Sequence, residues 1–314
     1  MISRGRAACA GLLRASTMRP LMFRGSLVAL VTPMTESGDV DFVAFGRLLD
    51  WHAREGSDGI VICGTTGESP TVTASEAAEL QQIAVQRVGG RMPVIAGTGG
   101  NSTAEAVERT RAACELGVDG VLVVTPYYNK PPQEGLYRHF SLVADAASVP
   151  LLLYNVPSRT ACDLLPETVE RLAGHPQIIG IKDATGSLER GAEILARCGD
   201  DFLLLSGDDA SCRNLIGAGA QGVVTVTGNV APGLMHAMVE AALAGDQEGA
   251  RELDERLAGL HTALFVESNP IPVKWALSRL GLIGTGIRLP LVGLADSQQE
   301  TVIAAMRRAG VDGT

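Results

Sequence analysis

Lysine is scarce in this chain of 314 residues: among its 26 basic residues only Lys130, Lys182 and Lys274 are lysines, and the rest are arginines. Any amine chemistry therefore falls to one of three side chains. Positive charge is also short overall, with 35 acidic residues and a formal net charge of −9. A nucleic-acid binder needs a basic face, so that class is excluded. The six cysteines (Cys9, Cys63, Cys114, Cys162, Cys198, Cys212) form no CxxC and no cluster, which excludes a disulfide scaffold and fits a reducing cytoplasm. The five histidines (His52, His139, His175, His236, His261) are equally scattered, with no HxH or HExxH, so no metal site is expected. No segment reaches the roughly 18–20 apolar residues needed to span a bilayer.

What the chain does have is apolar mass. Hydrophobic residues make up 46% of it, enough for one large domain, alone or with a small second one. Residues 1–24 stand apart. They hold five arginines and no acid, and the first acidic residue is Glu36. The composition is like that of a transit peptide. The plainer alternative, preferred here, is that translation starts at Met18 or Met22. Either way the stretch is set outside the fold.

Short β-rich runs recur from there on: Leu27–Val31, Gly59–Cys63, Pro93–Gly97, Gly120–Val124, Val149–Tyr154, Ile178–Lys182, Phe202–Ser206 and Gly222–Val226. Each is continuously apolar rather than alternating, as parallel strands buried on both faces should be. The segments between them read as helices. Asp41–Glu55 has apolar residues at helical spacing, Thr73-x-x-Glu76 and Ser102-x-x-Glu105 are capping-box patterns, and Pro166 suits a first helical position. Eight such units predict a (β/α)8 barrel over residues 25–230. A doubly wound sheet is the alternative, disfavoured because no dinucleotide fingerprint is present. Residues 231–314 read as the last barrel helix and a small C-terminal helical domain, with helices near 232–245, 247–265, 271–280 and 296–309.

A barrel of this kind carries its site at the C-terminal ends of its strands, so the residues that follow each run are the candidates. Lys182 closes the sixth run. Desolvation there favours the neutral amine, a Schiff-base nucleophile; the alternative is an ion pair with the adjacent Asp183. Lys130, in a Pro-flanked loop, and Lys274, in the C-terminal helical part, are weaker candidates. Three of the four tyrosines, Tyr127, Tyr128 and Tyr154, follow strands and could move protons, or simply pack. The Gly64-Thr65-Thr66-Gly67 loop offers hydroxyls and N–H groups to a small anion beside a helix start, or is only a tight turn. Arg159 could fork onto a carboxylate or form an exposed salt bridge. After the seventh run come Gly207, Asp208 and Asp209, the two acids being read as a helix cap rather than a metal site.

Together the motifs GTTGES (64–69), VTPYYNKP (124–131), YNVPSRT (154–160), GIKDATG (180–186) and NPIPVKW (269–275) resemble the dihydrodipicolinate synthase / N-acetylneuraminate lyase family of pyruvate-dependent class I aldolases, from about Met22 to the C-terminus. The resemblance implies a lyase in which Lys182 forms an imine with pyruvate, without metal or cofactor. It implies Tyr154 as general acid/base, and Thr65 and Tyr128 as a proton relay, with Tyr128 supplied by a neighbouring subunit. Thr66, Val224 and Gly207 are implied to face pyruvate. Arg159 is implied to bind the carboxylate of aspartate-4-semialdehyde, which favours that substrate over a sugar acid. The product would be 4-hydroxy-tetrahydrodipicolinate, on the route to diaminopimelate and lysine. The family also implies a homotetramer, a dimer of dimers, and a lysine-binding cleft whose matching positions are Ser69, Asn101, Glu105 and Tyr127. Ala74 and Ala77 stand where regulated members carry histidine, so feedback inhibition is expected to be weak or absent.

Overall fold

The computed structural model describes residues 23–311. Eight parallel strands close into one barrel in chain order: β1 (Gly25–Ala29), β2 (Gly59–Ile62), β3 (Val94–Gly97), β4 (Gly120–Val124), β5 (Leu151–Asn155), β6 (Ile178–Asp183), β7 (Leu203–Ser206) and β8 (Gly222–Thr225). Closure comes from β1 on β8, where Gly25, Ser26, Leu27 and Val28 stand opposite Gly222, Val223, Val224 and Thr225. That pairing starts the first strand two residues earlier than its apolar run, because the Gly25 N–H is held by the Gln221 carbonyl at 3.0 Å.

Helices follow the strands: α1 (Phe42–Glu55), α2 (Ala74–Val88), α3 (Thr103–Glu115), α4 (Gln133–Ala146), the single-turn α5 (Pro157–Thr160), α6 (Pro166–Ala173), α7 (Leu188–Cys198), α8 (Cys212–Gly217) and α9 (Pro232–Leu243). Three more, α10 (Gln247–Ala263), α11 (Ile271–Arg279) and α12 (Asp296–Ala309), complete the described residues. None of these helices is long and apolar enough to cross a membrane. Local chemistry sets their starts. Thr73 and Glu76 form a full capping box on α2, satisfying two orphan donors. The matching pattern on α3 is only half formed: Ser102 accepts from the Glu105 N–H, but the Glu105 carboxylate turns to Arg109 at 3.0 Å.

The continuous apolar runs are explained by two cores. Alternate strand residues fill the barrel (Leu27, Val61, Ile95, Leu122, Leu152, Leu203, Leu205 and Val224), and the others pack under the helices. The C-terminal helices share that outer core through Leu257, Val273, Leu277, Val302 and Met306. Residues 1–22 of the N-terminal stretch lie outside the described residues. Phe23, the last but one of those set outside the fold, is fully buried in the inner core. Gly120 makes room for it, since a Cβ there would lie 2.7 Å from the Phe23 ring.

Two buried histidines make the fold sensitive to acid. Burial holds the His52 imidazole at about 3, with Nδ1 2.9 Å from the Ser57 hydroxyl, and the His139 imidazole at about 4. Both values lie below the 6.5 of an open chain, so the unfolded state binds protons first. The stability they contribute is whole above about pH 6.5 and is lost as pH falls toward the folded values. Between about pH 7 and pH 5, His52 alone is expected to cost about 2 kcal/mol. Urea unfolding at the two pH values measures this, and His52→Gln should lose less stability between them.

Candidate active site

At the C-terminal ends of the strands lies a cavity of about 230 Å³. Thr65, Thr66, Tyr154, Arg159, Lys182 and Gly207 line it together. Strand register explains the meeting of its two central groups. Tyr154 on β5 stands directly opposite Lys182 on β6, and alternation turns both side chains inward. The Lys182 Nζ sits 4.2 Å from the centre of the Tyr154 ring, and both residues are buried.

The alternative role for Lys182 is not realised. Alternation sends Asp183 to the opposite face, where its carboxylate accepts from the Thr185 N–H at 3.1 Å, the Thr185 hydroxyl, and the Asn155 amide at 3.1 Å. Among the described residues no carboxylate pairs with Lys182. The other two lysines are placed differently: Lys130 is exposed, and Lys274 is buried in an ion pair with Glu68. Lys182 is thus the one lysine that is both buried and free of an acidic partner.

Gly207 shapes the same corner. Its N–H donates to the Asp183 carbonyl at 2.7 Å, and a Cβ on it would lie 2.9 Å from the Lys182 Cε and 2.7 Å from the Ala184 Cβ. Such approaches exclude any side chain without displacement of the lysine.

The Gly64–Ser69 segment is a pair of tight turns. The N–H groups of Gly67 and Ser69 donate to the Gly64 carbonyl, and that of Glu68 to the Thr65 carbonyl. The adjacent helix start expected from the sequence is absent: α2 begins only at Ala74, so this segment presents a turn and not a helix N-terminus. Thr66 is buried and its hydroxyl accepts from the Asn269 amide at 3.0 Å. Arg159, on the exposed turn α5, forms no salt bridge, so its guanidinium is available at the cavity rim.

Other candidates fall elsewhere. Val224 is buried in the inner core, and Val226 is the residue of that strand end that lines the cavity. Tyr128 is 90% exposed, has φ 71°, and does not line this cavity. No direct hydrogen bond joins the hydroxyls of Thr65, Tyr128 and Tyr154. Asp208 caps a turn by accepting from the Ser211 N–H and hydroxyl. Asp209, instead of capping a helix, accepts from the backbone N–H groups of Val226 and Thr227 and so pins the end of β8. Ser69 and Glu105 line a second cavity of about 360 Å³ between α2 and α3, together with Ala74, Ala77, Cys63 and Gln81. Asn101 and Tyr127 are not in its lining. Among the described residues no group of three or more His, Cys, Asp or Glu is arranged to hold a metal ion.

Sequence reasoning missed Asn269, Phe265 and Ala184 in the lining, and read Asp208, which also lines it, only as a cap. Asn269 had a signal, the NPIPVKW motif, but nothing in the chain shows that residues so distant in sequence return to the barrel mouth.

Residues 22–309 match the dihydrodipicolinate synthetase family. A 4-hydroxy-tetrahydrodipicolinate synthase of Stutzerimonas stutzeri is 56% identical over 290 residues, which cover 92% of this chain and 99% of the relative. The solved structure of a chloride-inhibited dihydrodipicolinate synthase of Acinetobacter baumannii, complexed with pyruvate, is 48% identical with a TM-score of 0.90, covering 92% of this chain and 99% of its own. A dihydrodipicolinate synthase of Cyanidioschyzon merolae with lysine bound is 42% identical with a TM-score of 0.90, covering 92% of this chain and 99% of its own.

Gly207→Ala is expected to leave the protein cooperatively folded but to push Lys182 aside. Borohydride trapping of a 2-oxo acid on Lys182 should slow by about tenfold or more, as displacement of a reacting group by a fraction of an ångström does.

Proposed function

The chain belongs to the dihydrodipicolinate synthetase family, and from that membership we infer that it condenses pyruvate with L-aspartate-4-semialdehyde to 4-hydroxy-tetrahydrodipicolinate, a step of lysine and diaminopimelate biosynthesis. It is a lyase. The observation that carries the reading is a buried lysine without an acidic partner, set against a tyrosine ring in a cavity rimmed by an unpaired arginine.

In this reading the neutral Lys182 amine adds to C2 of pyruvate. The carbinolamine loses water, with Tyr154 supplying the proton, and leaves an imine. The imine nitrogen serves as the electron sink, so the chemistry requires no metal or organic cofactor. Loss of a C3 proton gives the enamine, whose C3 attacks the aldehyde carbon of the semialdehyde while the aldehyde oxygen takes a proton. The substrate's own amino group then adds to C2, closing the ring and expelling Lys182 as the amine. Thr66 holds the pyruvate carboxylate through its N–H and hydroxyl, with Gly207 alongside and Val226, which lines the cavity where Val224 was expected, closing that side. Arg159 holds the carboxylate of the semialdehyde through a charge-assisted fork.

Thr65 and Tyr128 relay protons between Tyr154 and water, Tyr128 reaching the site of a neighbouring subunit in a dimer of dimers. The exposure of Tyr128 and its absence from the lining of its own cavity support this assignment. The cytoplasm is the compartment we assign; Cys63, Cys114, Cys162, Cys198 and Cys212 are all free thiols, which suits it. Ser69, Asn101, Glu105 and Tyr127 mark the lysine cleft, but with Ala74 and Ala77 the cavity offers no imidazole there.

Borohydride with pyruvate should trap one adduct on wild-type protein, located on Lys182 by mass spectrometry, and none on Lys182→Ala. No adduct, or an adduct that survives in the variant, overturns the mechanism. Arg159→Ala should raise KM for aspartate-4-semialdehyde by about 30-fold or more, the loss of a charge-assisted pair, with little change for pyruvate. A sugar acid such as N-acetylneuraminate should give no turnover in a coupled assay. Initial rates with added lysine should stay near the uninhibited value through the millimolar range; strong inhibition below that would show that the two alanines do not disable the cleft.

A further inference from the structure

The turn that presents Thr65 and Thr66 to the cavity is tied to chain more than two hundred residues away. Glu68, at its end, has φ 57°, a left-handed conformation strained for a glutamate. Glu68 is 2% exposed, and its carboxylate pairs with the ammonium of Lys274 on α11, itself 4% exposed. The same carboxylate accepts from the Arg288 N–H at 3.2 Å. The Arg288 guanidinium then reaches the Gly38 carbonyl at 2.6 Å, the Thr71 carbonyl at 2.7 Å, and both oxygens of Glu76. Asn269, two residues before α11, donates to the Thr66 hydroxyl. Glu68, Lys274 and Arg288 do not line the cavity, so they touch no substrate there.

We propose that Glu68, Lys274 and Arg288 form a clamp through which the C-terminal segment positions the Thr65–Thr66 turn for reaction, with Glu68 as the positioning residue. The proposal rests on the site reading above. Its physical basis is directional. A buried ion pair adds little stability over an apolar pair of similar volume, because desolvation of both charges offsets their attraction. An apolar pair, however, cannot orient a backbone. A carboxylate held from two sides, by an ammonium and a backbone N–H, fixes the rotation of Glu68 and with it a left-handed turn that the chain would otherwise relax. Thr66, two residues earlier, receives its own tie from the same distal segment. Burial lowers the Lys274 amine from its ordinary value while the Glu68 carboxylate opposes that fall, so removing one partner strands the other.

The test compares Lys274→Met, the double variant Glu68→Gln/Lys274→Met, Lys274→Arg and Arg288→Met with wild type. Unfolding temperature, kcat, KM for pyruvate and the rate of borohydride-trapped adduct formation are measured. Lys274→Met should lose both stability and activity. The double variant, with no stranded charge, should recover the unfolding temperature yet keep a loss in kcat/KM for pyruvate of about tenfold or more, carried mainly by KM and slower adduct formation. Lys274→Arg should restore kcat/KM to within a few-fold of wild type. Arg288→Met keeps the Glu68–Lys274 pair but removes the guanidinium bonds to Gly38, Thr71 and Glu76 that fix the position of the residue-288 N–H against Glu68, and should raise KM for pyruvate several-fold with kcat nearly unchanged. A double variant normal in both stability and kcat/KM, or an Arg288→Met protein with unchanged KM, overturns the clamp and leaves the pair a structural weld. A wild-type protein that forms no pyruvate adduct overturns the site reading as well, and so separates the two failures.

Discussion

A single constraint organises the mouth of this barrel: an amine must be kept buried without a carboxylate to neutralise it. An ammonium taken from water normally finds an acid or loses its proton. Here β-strand alternation keeps the acid next to it in the chain away. Lys182 and Asp183 are neighbours in the chain, yet the pleat turns one into the barrel and the other out of it. A register slip of one residue would exchange them and abolish the site. The space around the amine is defined on one side by the Tyr154 ring and on the other by the absence of a side chain at Gly207. Both follow from the pairing of β5 with β6 and of β6 with β7.

Keeping the amine free makes demands on the loops around it, whose backbone groups cannot all reach water. Buried polar side chains supply the partners. Asn155 donates to Asp163 and Asp183 and accepts from the Leu164 N–H, and Arg190 closes the set on Asp163 with two bonds of 3.0 and 2.8 Å. Asp209 ties β8 to its following turn, and Asn229 bridges the Val31 N–H and the Ala29 carbonyl at the end of β1. These networks are directional where an apolar core is not, so they hold the strand ends within the narrow tolerance that catalysis needs. The clamp on Glu68 extends the same logic to the turn that carries Thr65 and Thr66.

Much of this was legible in the chain. Eight continuous apolar runs imply strands buried on both faces, and only a closed or doubly covered parallel sheet buries them so. The residues after those runs had to lie on one end, so Lys182, Tyr154, Thr65, Thr66, Arg159 and Gly207 could be gathered before any coordinates. Legibility stopped where an answer depended on partners far away in sequence. The Thr73 cap of α2 was legible as a capping box, but the Thr65–Thr66 loop, read as lying beside that helix start, is separated from it by the turn residues up to Thr73. Glu105 looked like half of a capping box, but an arginine one turn on draws its carboxylate away. Lys274 looked peripheral, since its buried partner lies 206 residues earlier.

The sequence by itself determined which residues are strand-like, which stand at strand ends, and that only three amines exist to choose among. Those are properties of local pattern, and periodicity records them directly. Only the tertiary structure decided that Lys182 has no acidic partner, that Gly207 must be bare, that Val226 rather than Val224 lines the cavity, and that Asn269, Lys274 and Arg288 return to bond the segment carrying Thr66 and Glu68. Those facts depend on register and on contacts across the whole chain. Burial and pairing are set by what packs in three dimensions, and that is not written in any one segment.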